Sequence, residues 1–157
     1  MEMIRCFLLV ALIFAVCACV LADDARVGPA PGGGYVVPTR QLVRPAGRSV
    51  EFGARPQDLL LSPDGSVVYV KTHGSLLVID NASWKLKQDL DLGPGVAGSY
   101  HGLAITRDGS RLYVTTSKSE VLEVAVADGG VVSIARRFEV PGPTPKSHPT
   151  PCGIALS

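Results

Sequence analysis

The chain has 157 residues, with 15 Lys and Arg against 14 Asp and Glu, 17 Gly and 12 Pro. Balanced charge argues against a nucleic-acid or membrane-surface binder, which would carry a basic stripe. The many Gly and Pro residues imply frequent turns and exclude an architecture of long helices.

The N-terminus reads as a targeting segment. Arg5 is followed by an almost unbroken apolar run from Cys6 to Leu21, then Ala22, Asp23 and Asp24. This is the pattern of a secretory signal peptide over residues 1–22, forming a signal helix and cleaved after Ala22. A membrane anchor is the alternative, but the run is short of the roughly 20 residues a span needs. Lipid attachment is another, because Val16-Cys17-Ala18-Cys19 loosely resembles a bacterial lipobox, with Cys19 the acylated residue. The expected localisation is therefore exported, periplasmic or extracellular, with a lipid anchor open and no membrane span in the mature chain. Of the four cysteines only Cys152 lies beyond the leader. The mature chain thus has no partner for an intramolecular disulfide. Residues 23–34, with Gly28-Pro29-Ala30-Pro31-Gly32-Gly33-Gly34, read as a flexible Gly/Pro linker.

From residue 35 the chain carries an internal repeat. Leu59-Leu60-Leu61-Ser62-Pro63-Asp64-Gly65-Ser66-Val67-Val68-Tyr69-Val70 returns as Leu103-Ala104-Ile105-Thr106-Arg107-Asp108-Gly109-Ser110-Arg111-Leu112-Tyr113-Val114. Cys152-Gly153-Ile154-Ala155-Leu156-Ser157 matches the opening of that pattern again. The first two copies are 44 residues apart and the third opens 51 after the second, the extra seven residues falling in the Pro-rich loop Pro141 to Thr150; such a recurrence is a repeat-architecture signal. Each unit opens with a short apolar run, Leu59–Leu61 or Leu103–Ile105, expected to be a fully buried strand. Ser62, Pro63, Asp64 and Gly65, and Asp108 and Gly109 in the second unit, then supply a tight structural turn: Pro presets φ, Asp bonds its own backbone and Gly accepts positive φ. A β-rich strand follows at 67–71 or 112–116, a third at 76–80 or 121–126, and a fourth near 86–90 or 132–140. Four antiparallel strands per unit predict β-propeller blades; a β-sandwich is the alternative.

The expected fold is all-β: a partial propeller over 35–157, with two four-stranded antiparallel blades at about 55–93 and 99–142. The first strand of a third blade begins about residue 150. Ser49–Phe52 is expected to form a lone strand acting as the outer closing strand.

Tyr69-Val70-Lys71-Thr72 and Tyr113-Val114-Thr115-Thr116 resemble the Tyr-Val-Thr-Asn motif of YVTN-type bacterial β-propellers, with Ser62-Pro63-Asp64-Gly65 as that family's turn. Thr72 and Thr116 replace Asn, and Arg107 replaces Pro. The resemblance covers roughly residues 49–157. The stretch Tyr35 to Gly47 is similar to the opening of exported propellers that continue into an alkaline-phosphatase-type phosphoesterase domain. The resemblance thus implies the N-terminal part of a larger propeller, with further blades or a C-terminal domain as partners.

No set of residues forms a complete catalytic constellation. The histidines are His73, His101 and His148; they lack metal-ligand spacing, and no metal or cofactor site is expected. His101, just before an innermost strand, is the one weak catalytic candidate, against a structural role in a loop. Asp58, Asp64 and Asp108 can pass for a carboxylate set, but Asp64 and Asp108 have turn work to do. The functional expectation is an exported binding or scaffold platform for an unknown protein or small-molecule ligand. The alternative is the propeller part of a hydrolase, phosphoesterase-linked or lactonase-like.

Overall fold

The structure is a computed structural model, and it describes residues 26–144 and 146–157. The expected signal helix, with Cys19 and Ala22, lies outside the described residues. The chain divides into two units, one up to Gly47 and one from Arg48 onward.

The first unit contains β1 (Gly28–Pro29), β2 (Tyr35–Val36) and β3 (Leu42–Val43), an antiparallel sheet in that order. Residues 23–34 were expected as a flexible linker, but among the described ones Gly28 sits opposite Val36 and Pro29 opposite Tyr35. The glycines explain the reversal. Gly32, Gly33 and Gly34 all have positive φ, and the Gly33 amide donates to the Ala30 carbonyl.

The second unit is built from two four-stranded antiparallel sheets. Sheet I runs β4 (Pro56–Leu61), β5 (Val67–Thr72), β6 (Ser75–Asp80) and β7 (Lys85–Asp91). Sheet II runs β8 (Gly98–Ile105), β9 (Arg111–Thr116), β10 (Glu120–Val126) and β11 (Val132–Glu139), with a 3-10 turn at Asp128–Gly130 before β11. Both are meanders in which each strand pairs with the next in sequence.

The β4–β5 and β8–β9 turns are built alike. Asp64 accepts from the Ser62 hydroxyl at 2.6 Å and from the Ser66 amide at 3.1 Å. Asp108 accepts from the Thr106 hydroxyl at 2.5 Å and the Ser110 amide at 3.1 Å. Gly65 and Gly109 each have φ 73°, a conformation that costs a residue with a Cβ. These bonds favour the charged carboxylates and hold both pKa values at about 2, below the ordinary 3.8.

The core is the seam between the sheets. Val67, Tyr69, Leu76 and Val78 of sheet I pack with Leu103, Leu112, Val114, Leu122 and Val124 of sheet II, closed by Leu92 and Val96 from the connection. Strand alternation sends every second residue of each sheet into this seam. The opposite face of sheet I holds a smaller cluster of Val70, Leu77 and Ile79.

Three expectations change. β4 is not fully buried: Leu60 packs on the seam, but Leu59 and Leu61, on the other face, are 70% and 51% exposed. Residues 49–52 form no strand. Val50 and Phe52 lie on Val70, Leu77 and Ile79, so the segment crosses a sheet face instead of extending its edge. Arg48 fixes that course by donating to the Ala82 carbonyl at 3.1 Å and stacking 5.9 Å from the Trp84 ring. Residues 150–157 also form no strand. Pro151 supplies no amide to a ladder, and Gly153 breaks the extended course with φ 88°.

A seam position and an exposed one should differ sharply. Leu122→Ala, at a fully buried site, is expected to lower unfolding stability by about 2–5 kcal/mol. Leu59→Ala should shift it by no more than about 0.5 kcal/mol. Urea denaturation followed by circular dichroism checks both.

Candidate functional site

At the innermost strands the seam turns polar. Gly98 pairs with Thr116 and Leu103 with Val114, so Ser99 to Gly102 stand opposite Thr115 alone and bulge out of β8. Gly102 permits this close approach, since a Cβ there would collide with the Thr115 side chain.

Lys71, in the run Val-Val-Tyr-Val-Lys-Thr of β5, enters this bulge from sheet I. Its side chain is fully buried. Nζ donates to Ser99 Oγ at 3.0 Å, the His101 carbonyl at 3.1 Å and Thr115 Oγ1 at 3.1 Å. Ser99 Oγ and Thr115 Oγ1 donate in turn to the same His101 carbonyl, at 2.9 and 2.7 Å. Burial pushes the Lys71 ammonium down to about 8, against the opposing pull of the Asp58 carboxylate. Asp58 closes the bulge from the other side: Oδ2 accepts from the Gly102 amide at 2.8 Å and the Leu103 amide at 3.2 Å. A carboxylate gripping two amides is a strong tie.

The structure brings together only part of the sequence-derived set. His101 sits on the bulge with its side chain exposed, and its carbonyl is the hub of the network. A small cavity beside it is lined by Pro56, Gln57, Asp58, Leu59 and His101. His73 and His148 are exposed in other loops. Asp64 and Asp108 are in the β-turns and bond their own turn residues, while Asp58, on β4, holds the β8 bulge. Among the described residues no group of three or more His, Cys, Asp or Glu is placed to hold a metal ion. Cys152 is an exposed free thiol. Sequence reasoning missed Lys71, Ser99 and Thr115. The available signal was a lysine within an apolar strand, one repeat before a threonine in the same register.

No protein-family model matches the chain, and no curated protein matches it. Solved structures do. The periplasmic gluconolactonase PpgL of Pseudomonas aeruginosa aligns at TM-score 0.50 and 25% identity, over 60% of this chain and 29% of that one. It supports a β-propeller fold. The hydrazine synthase of Kuenenia stuttgartiensis aligns at TM-score 0.48 and 20% identity, over 71% of this chain and 29% of that one. A protein from Lactobacillus plantarum aligns at 0.48 and 19%, over 66% and 33%. The chain thus spans 29% to 33% of the length of these structures.

The buried lysine gives a signed pH effect. Its folded pKa of about 8 lies below its ordinary 10.5, so the unfolded chain binds more protons between those values and stability rises with pH there. The penalty for burying the charge is complete below pH 8 and fades toward 10.5. Between pH 8 and 10 the wild type should gain stability relative to Lys71→Met, measured by denaturant midpoints at each pH. A constant difference between the two proteins contradicts this.

Proposed function

We propose that the chain is an exported β-propeller repeat module of the YVTN type, with sheets I and II as successive blades, acting as a binding or scaffold platform. The observation that carries this reading is how the polar groups near the innermost strands are used. Asp58 and Lys71 bond Ser99, Thr115 and the main chain of β8 across the seam, so the groups with catalytic potential hold blades together. The exposed surface beside them, with Tyr100 72% exposed and His101, suits contact with a small molecule or another protein. Further blades or a C-terminal phosphoesterase domain are the partners that the family resemblance implies.

A second reading is favoured by one finding, the likeness to a gluconolactonase. Here the His101 imidazole would take a proton from water as the water attacks the lactone carbonyl, then return it to the ring oxygen as the ring C–O bond breaks, giving the open hydroxy acid. Incubating the full chain with aldonolactones, above the spontaneous rate, separates the two. A platform gives no enzymatic turnover, whatever ligands shift its melting temperature. Turnover that His101→Ala cuts by about 100-fold or more, the scale of lost acid–base catalysis, would replace the platform by the lactonase.

A further inference from the structure

Three of the hydrogen-bonded links that join the sheets share one offset. Lys71 to Thr115, Asp58 to Gly102, and Gln88 to Val132 in both directions each link residues 44 apart. That is also the sequence repeat, so at Asp58, Lys71 and Gln88 a residue on the seam-facing, or forward, side of sheet I meets its own counterpart in sheet II. A junction made by repeat equivalents implies that the forward face of sheet II has the shape of a face that fits the rear of sheet I.

Both of these faces stand partly open. The rear of sheet I presents Leu59, Leu61 and Leu86, exposed by 70%, 51% and 41%. Leu59 and Leu61 are the counterparts of Leu103 and Ile105, which pack in the existing seam. The forward face of sheet II presents Tyr113 at the position of Tyr69. Phe138 (40% exposed) and Arg136 lie on its outer strand, opposite Val121 and Glu123. Charge agrees with the fit. Arg111 and Arg136 lie on the forward face, against one buried carboxylate, Glu123. The rear face carries Asp89, paired with Leu77 on β7. In the seam that already exists, β7 lies against β11.

We propose that the forward face of sheet II docks on the rear face of sheet I in a second copy of this chain, head to tail, continuing the same seam. The segment Arg48–Phe52 occupies part of the acceptor face, over Val70, Leu77 and Ile79. It therefore competes with the incoming copy for that area, while Leu59 and Leu61 remain open. A heterologous contact repeated by rotation gives a ring where the rotation closes and an open filament where it does not.

Sedimentation velocity and light scattering on the full chain across a concentration range test this. The expected result is a discrete, concentration-dependent oligomer. Leu59→Lys, at a site too exposed to affect folding, should weaken assembly at least about tenfold, the scale of one interface anchor. Arg136→Glu should do the same from the other face. Mixing the two variants should restore a 1:1 pair and nothing larger, because each retains one intact face. Phe52→Ser, checked by circular dichroism for retained β-structure, should tighten assembly by loosening the competitor. The docking proposal is overturned by a wild type that stays monomeric at every concentration, by assembly indifferent to Leu59→Lys, or by a mixture that forms no pair. Assembly unchanged or weakened in folded Phe52→Ser overturns the competition.

Discussion

A short sheet with apolar residues on both faces cannot remain in water by itself, and here that constraint is met by one seam. Sheet I gives Val67, Tyr69, Leu76 and Val78 to it, and sheet II gives Leu112, Val114, Leu122 and Val124. Burying each such side chain contributes about 1.5–3 kcal/mol, so the seam outweighs any single turn or ion pair. Apolar contact alone leaves register loose. Register is set at the inner end, where Asp58 holds the Gly102 and Leu103 amides and Lys71 fills the β8 bulge. Near the outer strands Gln88 both donates to and accepts from the Val132 main chain. The polar ties work because they lie at the ends of an apolar interface that has already excluded water.

The same ties decide what the site can do. A desolvated lysine beside a carboxylate, two hydroxyls and a histidine has the composition of a reactive centre. Its geometry is that of a clamp: three donors converge on the His101 carbonyl, and the lysine is sealed from solvent. A perturbed pKa in such a place reports burial, and structural networks produce it as readily as catalytic ones do. The side chain left facing outward is the His101 imidazole, so ligand chemistry near the innermost strands must pass through it or through neighbouring surface.

The repeat was legible because turn chemistry is local. Asp64-Gly65-Ser66 and Asp108-Gly109-Ser110 specify a reversal within a few residues, and the strands on either side alternate with period two. What escaped was whatever depends on the partner sheet. Lys71 looks like a surface residue until the bulge opposite it is known, and that bulge rests on Gly102 lacking a Cβ. Leu59–Leu61 reads as buried because apolar runs usually are; which face is covered depends on what packs behind it. The segment 49–52 has strand composition, but Arg48 stacking on Trp84 draws it across the sheet. Trp84 itself adopts φ 59°, a conformation that no local propensity favours.

The two sheets are repeats in sequence but not in charge, and the forward face carries part of the difference. Tyr69 keeps its identity as Tyr113. Val67 becomes Arg111, and Val78, paired with Tyr69, becomes Glu123, paired with Tyr113. Two apolar seam positions are thus replaced by an ion pair, Arg111 with Glu123, flanked by Arg136 at 3.6 Å. Burying a carboxylate costs more than burying the valine it replaces, and its partner arginines offset that cost without turning it into a gain. The substitution therefore makes the forward face of sheet II less adhesive than that of sheet I and more selective. An apolar surface accepts any apolar partner, whereas this one disfavours a partner that leaves Glu123 without its arginines or sets another cation against them. Two equivalent faces thus differ in chemistry: one is apolar and buried in the internal seam, and the other carries a paired charge.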